Sequence, residues 1–491
     1  MIRFLLNDQE IALADFGAQT TVLDWLRQDR GLCGTKEGCA SGDCGACTVV
    51  VAEPAGEGLA YHSVNSCITF LGALHGRQLI TVEHLPDGET LHPVQQAMVD
   101  HHGSQCGFCT PGFVMSLFAL GKEPPLGGGT EHRQAIHEHL GGNLCRCTGY
   151  RPIIDAALAS TAARVPDRFD RQSRKTRAVL DGIQSGDGVG SNGGEMPGAP
   201  GFLIPRDMDE LSRAYLEYPD ARLLGGGTDL ALEATQALRT LDRIILLDRV
   251  AELRQVTKRG GWVTVGATVS LTRCLELFSG HYPPVTDLLL RFGSRQVRNL
   301  GTLGGNIANA SPIGDLPPVL LALGAEVTLR RGNDQRSLSL DNFFLDYRET
   351  ALGRGEFVRS VSVPLPEPRQ FFRVYKISKR IDDDISAVCL AVNLVFEDEG
   401  HDAVIRSARI GVGGMAAIPR RAPACEAAMT GKPFDESTAA VAAAAIDGEF
   451  SPIDDARASA AYRATVAGNL FRRCLLEYRG SEYPLKVTDV H

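Results

Sequence analysis

Thirteen cysteines occur in the chain, and nine of them fall before residue 150. The first group is Cys39-Ala-Ser-Gly-Asp-Cys44-Gly-Ala-Cys47, a C-x4-C-x2-C run, with Cys67 after 19 further residues. Four thiolates around two bridged irons require a loop that wraps one small object, and this is the spacing of a plant-type [2Fe–2S] site. Gly34, Gly38, Gly42 and Gly45 allow the loop to curl and to aim amide N–H groups at sulfur, which helps set a reduction potential. Zinc also takes four cysteines, but zinc loops favour paired C-x2-C units, and the four-residue gap argues for iron. Cys33 lies outside the pattern.

The second group is Cys106-Gly-Phe-Cys109 followed, after 35 residues, by Cys145-Arg-Cys147. Here spacing alone leaves zinc a serious rival to a second iron–sulfur cluster. The surrounding text reads as helices. His92 to His102 is one. Thr110-Pro111 caps and opens another through Leu120. Residues 131–140 are a third, ended by Gly141-Gly142, and Ile153 to Ala162 a fourth. The cysteine pairs fall at helix ends, where a small bundle can hold a cluster. His92, His101, His102, His132, His137 and His139 do not share one helical face and read as surface residues. The scattered Cys274, Cys389, Cys425 and Cys474 read as small apolar packing residues.

Composition narrows the class. The 491 residues suggest three or four domains. At 44% hydrophobic and 22% charged, the chain reads as an ordinary globular protein. A net charge of −9 disfavours a nucleic-acid binder. No apolar run reaches membrane-spanning length, and the opening residues turn acidic too soon for a secretory signal. A cytoplasmic protein with no membrane or nucleic-acid partner is expected, with crowded thiols serving as metal ligands rather than disulfides.

Residues 164–200 carry many charges and then a Gly/Ser-rich run from Ser185 to Gly194, expected to be a flexible linker. Beyond it, a strand at Ala221 to Leu224 runs into Gly225-Gly226-Gly227-Thr228-Asp229-Leu230. A second strand–turn unit is expected at Gly301-Thr302-Leu303-Gly304-Gly305-Asn306-Ile307. Neither is the G-x-G-x-x-G fingerprint, and no P-loop occurs. Each is either a plain tight turn or a place where backbone N–H groups approach a pyrophosphate. After residue 370 the text reads as a smaller unit of strands (Ala387 to Phe396, Arg406 to Val412) and helices (Ala422 to Met429, Asp454 to Glu477). Asp382-Asp383-Asp384 reads as a solvated loop.

The text Gly34-Thr35-Lys36-Glu37-Gly38-Cys39 through Cys47, with Gln105 to Gly112 and Gly142 to Tyr150, resembles the molybdenum hydroxylases. The two glycine turns resemble that family's FAD loops, and Ala458 to Arg463 resembles its third flavoprotein domain. The likeness covers nearly the whole chain except the linker, and points to the xanthine branch in its small-subunit form.

The resemblance implies an α+β multidomain chain. It would have a β-grasp plant-type ferredoxin domain (1–86), a helical-bundle [2Fe–2S] domain (87–163) and a linker (164–200). An α/β FAD-binding domain of the vanillyl-alcohol-oxidase/CO-dehydrogenase-flavoprotein type (201–367) and a C-terminal α+β domain (368–491) would follow. It assigns one cluster to Cys39, Cys44, Cys47 and Cys67, and the other to Cys106, Cys109, Cys145 and Cys147. Gln105 would lie near the pterin of a partner's cofactor. FAD would contact Leu223, Leu224, Gly225, Gly226, Gly227, Thr228, Asp229 and Leu230, then Phe292, Thr302, Gly304, Gly305, Asn306, Ser311 and Asp315, and also Val358 and Lys376. The loop Ser378 to Ile385 would control access of NAD, the acceptor.

The molybdenum cofactor, and purine oxidation, would belong to a large partner subunit in an α2β2 heterotetramer. Too little chain is expected to remain here for a molybdenum domain, so no residue of this chain is assigned a catalytic role in the hydroxylation. Two other readings stay open, an aldehyde or N-heterocycle hydroxylase subunit and a zinc-stabilised nucleotide-binding scaffold.

Overall fold

The computed structural model describes residues 1–124, 130–162, 166–185, 196, 198–400 and 402–485. The chain forms two compact units. One comprises Met1–Ala251 with Gly293–Gly301, the other Glu252–Phe292 with Thr302–His491. The stretch 201–367, expected as one domain, contributes to both.

The first unit opens with strands β1 (Ile2–Leu6), β2 (Gln9–Leu13), β3 (Thr48–Ala55), β4 (Gly58–Asn65) and β5 (Gln78–Ile80), ordered β2-β1-β5-β3-β4. β1 and β5 run parallel and the other neighbours antiparallel. A short helix α1 (Val22–Asp24) continues as one π turn to Asp29, and buries Val22, Leu23, Trp25 and Leu26 against Phe4 and Val49 of the sheet. This is the expected β-grasp arrangement. The first cysteine loop occupies residues 39–47, directly before β3, so a strand that pairs on both edges anchors its end.

Four helices follow: α2 (Pro93–Asp100), α3 (Thr110–Lys122), α4 (Thr130–Leu140) and α5 (Arg151–Thr161). α3 is apolar nearly all round and is buried from Gly112 to Leu120, as the central helix of a bundle must be. Its start, Thr110-Pro111, places proline where the N–H has no helical partner. Two histidines correct the surface expectation. His139 is 6% exposed, with Nδ1 2.9 Å from Ala135 O and Nε2 3.1 Å from Glu123. His92 caps α2 and lies 3.0 Å from Asp167. Each found a buried polar partner that helical periodicity alone does not reveal.

The expected linker is also corrected in part. Arg168–Ser185 forms an 18-residue helix, α6, with Phe169, Leu180 and Ile183 buried. Three apolar residues on one face suffice to dock a helix that is otherwise charged. The glycine-rich run 186–195 lies outside the described residues. The unit continues with β6 (Gly198–Ala199), β7 (Phe202–Leu203), α7 (Met208–Glu217), β8 (Arg222–Leu224), α8 (Leu230–Thr235) and β9 (Ile244–Leu246), in the sheet order β6-β7-β9-β8.

His75, in the first unit, makes stability depend on pH. Burial first, then the Arg249 guanidinium and the N-terminal amine, push it down to about 4 from an ordinary 6.5, and its Nδ1 accepts from Arg3 N–H at 3.1 Å. Between those values the unfolded chain binds a proton that the folded one refuses. Stability is therefore full above pH 6.5, falls as pH drops towards 4, and loses at most about 3 kcal/mol. Unfolding midpoints of a His75→Gln variant should show a flatter slope across that window than the parent. An unchanged slope would exclude His75 as the source.

The second unit begins with β10 (Val256–Arg259) and β11 (Trp262–Gly266), then helices α9 (Leu271–Ser279) and α10 (Pro283–Leu290). The chain returns to the first unit for α11 (Arg295–Leu300), then resumes with α12 (Leu303–Ala308) and α13 (Leu316–Leu323). Strands β12 (Glu326–Arg331), β13 (Asp334–Ser339) and β16 (Phe357–Pro364) complete a sheet ordered β10-β11-β16-β12-β13, with a small hairpin β14 (Phe344–Asp346) and β15 (Glu349–Thr350) between.

The C-terminal part is an antiparallel sheet of β17 (Gln370–Ile377), β18 (Val388–Phe396), β19 (Ile405–Gly413) and β20 (Arg420–Arg421). Helices α14 (Pro423–Met429), α15 (Glu436–Glu449) and α16 (Ala460–Arg479) cover it, sharing a core with β18 and β19. Cys274, Cys389, Cys425 and Cys474 are all buried.

Candidate functional site: two thiol clusters and two glycine turns

The first cysteine loop folds back because Ala40, Gly42 and Gly45 adopt positive φ. Gly45 has no alternative residue, since a Cβ there would lie 2.3 Å from Gly142 O and 2.6 Å from Asn143 Nδ2. The sulfurs form a chain of contacts, Cys44 to Cys39, Cys39 to Cys67, and Cys67 to Cys47 at 3.3 Å. Cys47 and Cys67 are buried, while Cys39 and Cys44 are half-buried. Backbone N–H groups of Ser41 (3.4 Å) and Asp43 (3.3 Å) donate to Cys39 Sγ.

Crowded thiols compete for protons. Hydrogen bonding with Cys44 and then Cys67 holds Cys39 below the ordinary thiol range, and hydrogen bonding with Cys67 does the same for Cys47. Cys44, facing Cys39, is pushed up, as is Cys67, facing Cys39 and Cys47. Metal ligation removes that competition by replacing the protons.

In the second set Cys109 meets Cys145 and Cys106 meets Cys147. Burial first, then the Cys145 neighbour, pushes Cys109 up to about 12. The Thr148 hydroxyl (3.1 Å) and N–H (3.5 Å) donate to Cys145 Sγ, and the Tyr150 hydroxyl accepts from Cys145 N–H at 2.9 Å. Those roles of Thr148 and Tyr150 went unread in the sequence, although both belong to the Cys145–Tyr150 text. Cys106 and Cys147 are exposed, and so are Gln105, Phe108, Leu144 and Tyr150 around them.

Among the described residues, no three His, Cys, Asp or Glu side chains converge on the position of one metal ion. A single zinc needs four thiolates at one point, whereas two bridged irons take two each. The second set, whose sulfurs meet in the pairs Cys109–Cys145 and Cys106–Cys147, fits that two-by-two demand, and the first gathers its four sulfurs in one chain of contacts, which supplies the four thiolates a two-iron cluster takes.

The first glycine turn follows β8 as expected, and Leu230 opens α8. Among the described residues, the backbone N–H groups of Gly225, Gly226, Gly227, Thr228 and Asp229 donate to no carbonyl. A Cβ on Gly226 would lie 1.6 Å from Leu300 O, and Gly227 has φ +80°. The turn is a cradle of free donors that only glycine permits, which suits a pyrophosphate.

The second turn corrects the expectation of a preceding strand. It joins two helices, because Thr302 caps α12 by accepting from Gly305 N–H at 3.1 Å. Leu303 and Gly304 N–H groups bond Val269 O (3.0 Å) and Ala267 O (2.8 Å), which fixes the turn beside the end of β11. A Cβ on Gly304 would meet Ala267 Cβ at 2.6 Å. Asn306 Oδ1 is buried without a partner, an acceptor suited to an absent donor.

Asp315 and Lys376, 61 residues apart, form an ion pair at 2.5 Å, and Ser386 Oγ bonds the other carboxylate oxygen. Ser311 Oγ accepts from Ile313 N–H, Val358 is buried on β16, and Phe292 ends the segment after α10. Arg291 ties down the expected NAD-access loop through Lys376 O (3.0 Å), Ser378 Oγ (3.2 Å) and Ile381 O (2.9 Å). Thus Leu223 to Leu230 belong to the first unit, while Phe292, Thr302, Gly304, Gly305, Asn306, Ser311, Asp315, Val358 and Lys376 belong to the second.

Four family descriptions match successive stretches of the chain. They are a 2Fe-2S iron–sulfur cluster binding domain (5–72), a [2Fe-2S] binding domain (81–158), the FAD binding domain in molybdopterin dehydrogenase (198–366) and the CO dehydrogenase flavoprotein C-terminal domain (373–478). The chain is 33% identical to a xanthine dehydrogenase of Emericella nidulans, over 96% of this chain. It is 32% identical to xanthine dehydrogenase 1 of Arabidopsis thaliana, over 88% of this chain. It spans only 38% and 36% of those relatives.

Carbon monoxide dehydrogenase from Hydrogenophaga pseudoflava matches with a TM-score of 0.53 at 26% identity, over 57% of this chain and 96% of that one. Quinoline 2-oxidoreductase from Pseudomonas putida 86 matches at 0.52 and 27%, over 59% and 100%. Four domains of this content and order make the chain a molybdenum hydroxylase region of the iron–sulfur/flavin small-subunit kind. Among the described residues no helix is long and apolar enough to cross a membrane.

Gly226→Ala is expected to drive the first turn away from Leu300 and to take bound FAD towards zero, read as flavin released on denaturing the purified protein. Parental flavin content in this variant would exclude the close approach as a requirement.

Proposed function

We propose that this chain is the iron–sulfur/FAD subunit of a cytoplasmic xanthine dehydrogenase, with the eight cysteines and the flavin residues named above as its ligands. In this reading a partner subunit oxidises hypoxanthine or xanthine at a molybdenum cofactor, the assembly is an α2β2 heterotetramer, and NAD+ is the final acceptor. The observation that carries it is the asymmetry of the two thiol sets. One is partly enclosed beside β3, and the other opens at exposed Cys106 and Cys147 within a rim of Phe108, Leu144 and Tyr150. Exposed apolar side chains around these thiols suit the docking of a partner that donates electrons there.

When bound, two [2Fe–2S] clusters and FAD supply one-electron relay and two-electron release to NAD+. The chain's own residues hold and tune them. N–H groups of Ser41 and Asp43, and the hydroxyl of Thr148, favour extra negative charge on the sulfurs they face. In the first unit the N–H groups from Gly225 to Asp229 would hold a pyrophosphate, in the second the buried Asn306 Oδ1 would accept from the flavin nucleotide, and Arg291 steadies the loop Ser378 to Ile385 through which NAD+ would enter.

A second reading changes only the substrate. The structural likeness to carbon monoxide dehydrogenase and quinoline 2-oxidoreductase supports a small subunit serving an aldehyde or N-heterocycle hydroxylase instead. Co-purification with the partner followed by assay decides. Xanthine-dependent NADH formation supports the first reading. Turnover of an aldehyde or quinoline without xanthine activity establishes the second. Zinc in place of iron, with no flavin, overturns both.

A further inference from the structure

Between the two cysteine loops lies a buried polar cluster drawn from four distant parts of the first unit. Thr48 follows the first loop, Ser116 stands on α3 after Cys109, and Asn143 precedes Cys145. Gln296 arrives on α11, from within the stretch that matches the FAD binding domain. Their exposures are 1%, 1%, 2% and 0%.

Gln296 Nε2 donates towards Asn143 Oδ1 (3.0 Å), Ser116 Oγ (3.1 Å) and Thr48 Oγ1 (3.3 Å). Asn143 Nδ2 in turn donates to Gly45 O (3.0 Å), and Ser116 Oγ to Asn143 Oδ1 (2.6 Å). Leu144 N–H bonds Cys44 O at 3.0 Å, so the two cysteine loops are in direct contact. Three glycines make room for this. A Cβ on Gly45 or Gly112 would strike the backbone of the facing loop, and one on Gly142 would lie 2.2 Å from Ser294 Cβ and 2.5 Å from Gln296 Oε1.

α11 is held from several sides. Ser294 caps it, Arg295 pairs with Glu123 at 2.5 Å, and Asn299 Nδ2 bonds Ser63 O at 2.9 Å. Its last carbonyl, on Leu300, is the atom packed against Gly226 of the first glycine turn.

We propose that Gln296 is a positioning residue that locks the two cysteine loops at one fixed separation, with α11 as the strut that references both to the first flavin turn. The inference rests on the proposed cluster ligation. Amide donors are suited to this task, because one planar NH2 group can satisfy acceptors on several loops where a hydroxyl or an apolar side chain cannot. Removing the amide leaves Ser116 Oγ with no incoming donor and takes one of two donors from Asn143 Oδ1 (Ser116 Oγ remains) and from Thr48 Oγ1 (Asn143 Nδ2 remains at 3.3 Å), so the bonds that tie α11 to both loops are lost in a buried site.

The experiment uses the full chain with its native cofactors. Gln296→Met keeps side-chain length and removes both donors. Arg295→Met removes a neighbouring tether of the same helix and leaves the amide in place. Iron content and the visible spectrum are measured first, and then the low-temperature EPR spectrum of the fully reduced protein, in which magnetic interaction between two nearby reduced clusters splits the lines.

The expected result is full iron in both variants, with the splitting lost in Gln296→Met and retained in Arg295→Met. Retained splitting in Gln296→Met overturns the proposal. So does equal loss in both variants, which would assign the effect to helix docking in general, and so does a Gln296→Met protein that loses its iron. A parent protein without reduced-cluster signals would instead refute the ligation reading itself, which keeps the two failures apart.

Discussion

Replacing Cys106 by alanine is expected to stop electron passage from the partner's substrate to NAD+ while leaving the flavin end working. Cys106 is exposed and faces Cys147, so its loss removes one of four ligands without opening a core. A cluster held by three thiolates is not retained, and iron should fall from about four to about two atoms per chain. Substrate-to-NAD+ turnover of the assembled enzyme should drop at least about 100-fold, since the relay loses a member. Oxidation of NADH by an artificial dye, which needs only the flavin, should continue near the parental rate. A Cys106→Ala enzyme that reduced NAD+ at full speed would remove the second thiol set from the route.

The second large effect is expected at Lys376. Its ammonium group and the Asp315 carboxylate are 2% and 4% exposed and lie 2.5 Å apart, with the Ser386 hydroxyl as a further donor to Asp315. Lys376→Met leaves that carboxylate charged, buried and short of its main partner, which costs about 3–5 kcal/mol. Removing both charges together, as in Lys376→Met with Asp315→Asn, leaves no uncompensated ion and should restore much of the loss. The readout is the thermal midpoint followed by tryptophan or flavin fluorescence, compared within one transition because a chain of several domains does not unfold in two states. Equal destabilisation by the single and double changes would show that the lysine contributes packing rather than charge balance. If both residues also contact FAD, as proposed, flavin content should fall in both variants even where stability is recovered.

The meeting of the thiols was legible because it is written locally. Cys39, Cys44 and Cys47 lie within nine residues, and Cys106–Cys109 and Cys145–Cys147 within four and three, so short-range backbone geometry already limits what each run can grip. The proline at the start of α3 was legible for the same reason, although the capping residue is Cys109 rather than the expected Thr110, and it makes no side-chain capping bond. Other features depended on chain segments far apart. Phe169, Leu180 and Ile183 stand far apart in a charged stretch that was expected to be linker, and only an available surface made them a docking face. His139 looked like one surface histidine among six, and became buried because Glu123 stood ready to meet it. The turn at Thr302 read as following a strand because glycine-rich text does not state what precedes it.

Types and spacings along the chain therefore determined which thiols could be gathered and where backbone is left bare by glycine, because both depend on residues a few bonds apart. Tertiary structure alone decided that Gln296 sits between two cysteine loops more than a hundred residues away, and that Asp315 and Lys376 share a buried site. Such pairings carry no local signature. They form where burial makes an unpartnered polar group costly, and folding brings together groups that can satisfy one another.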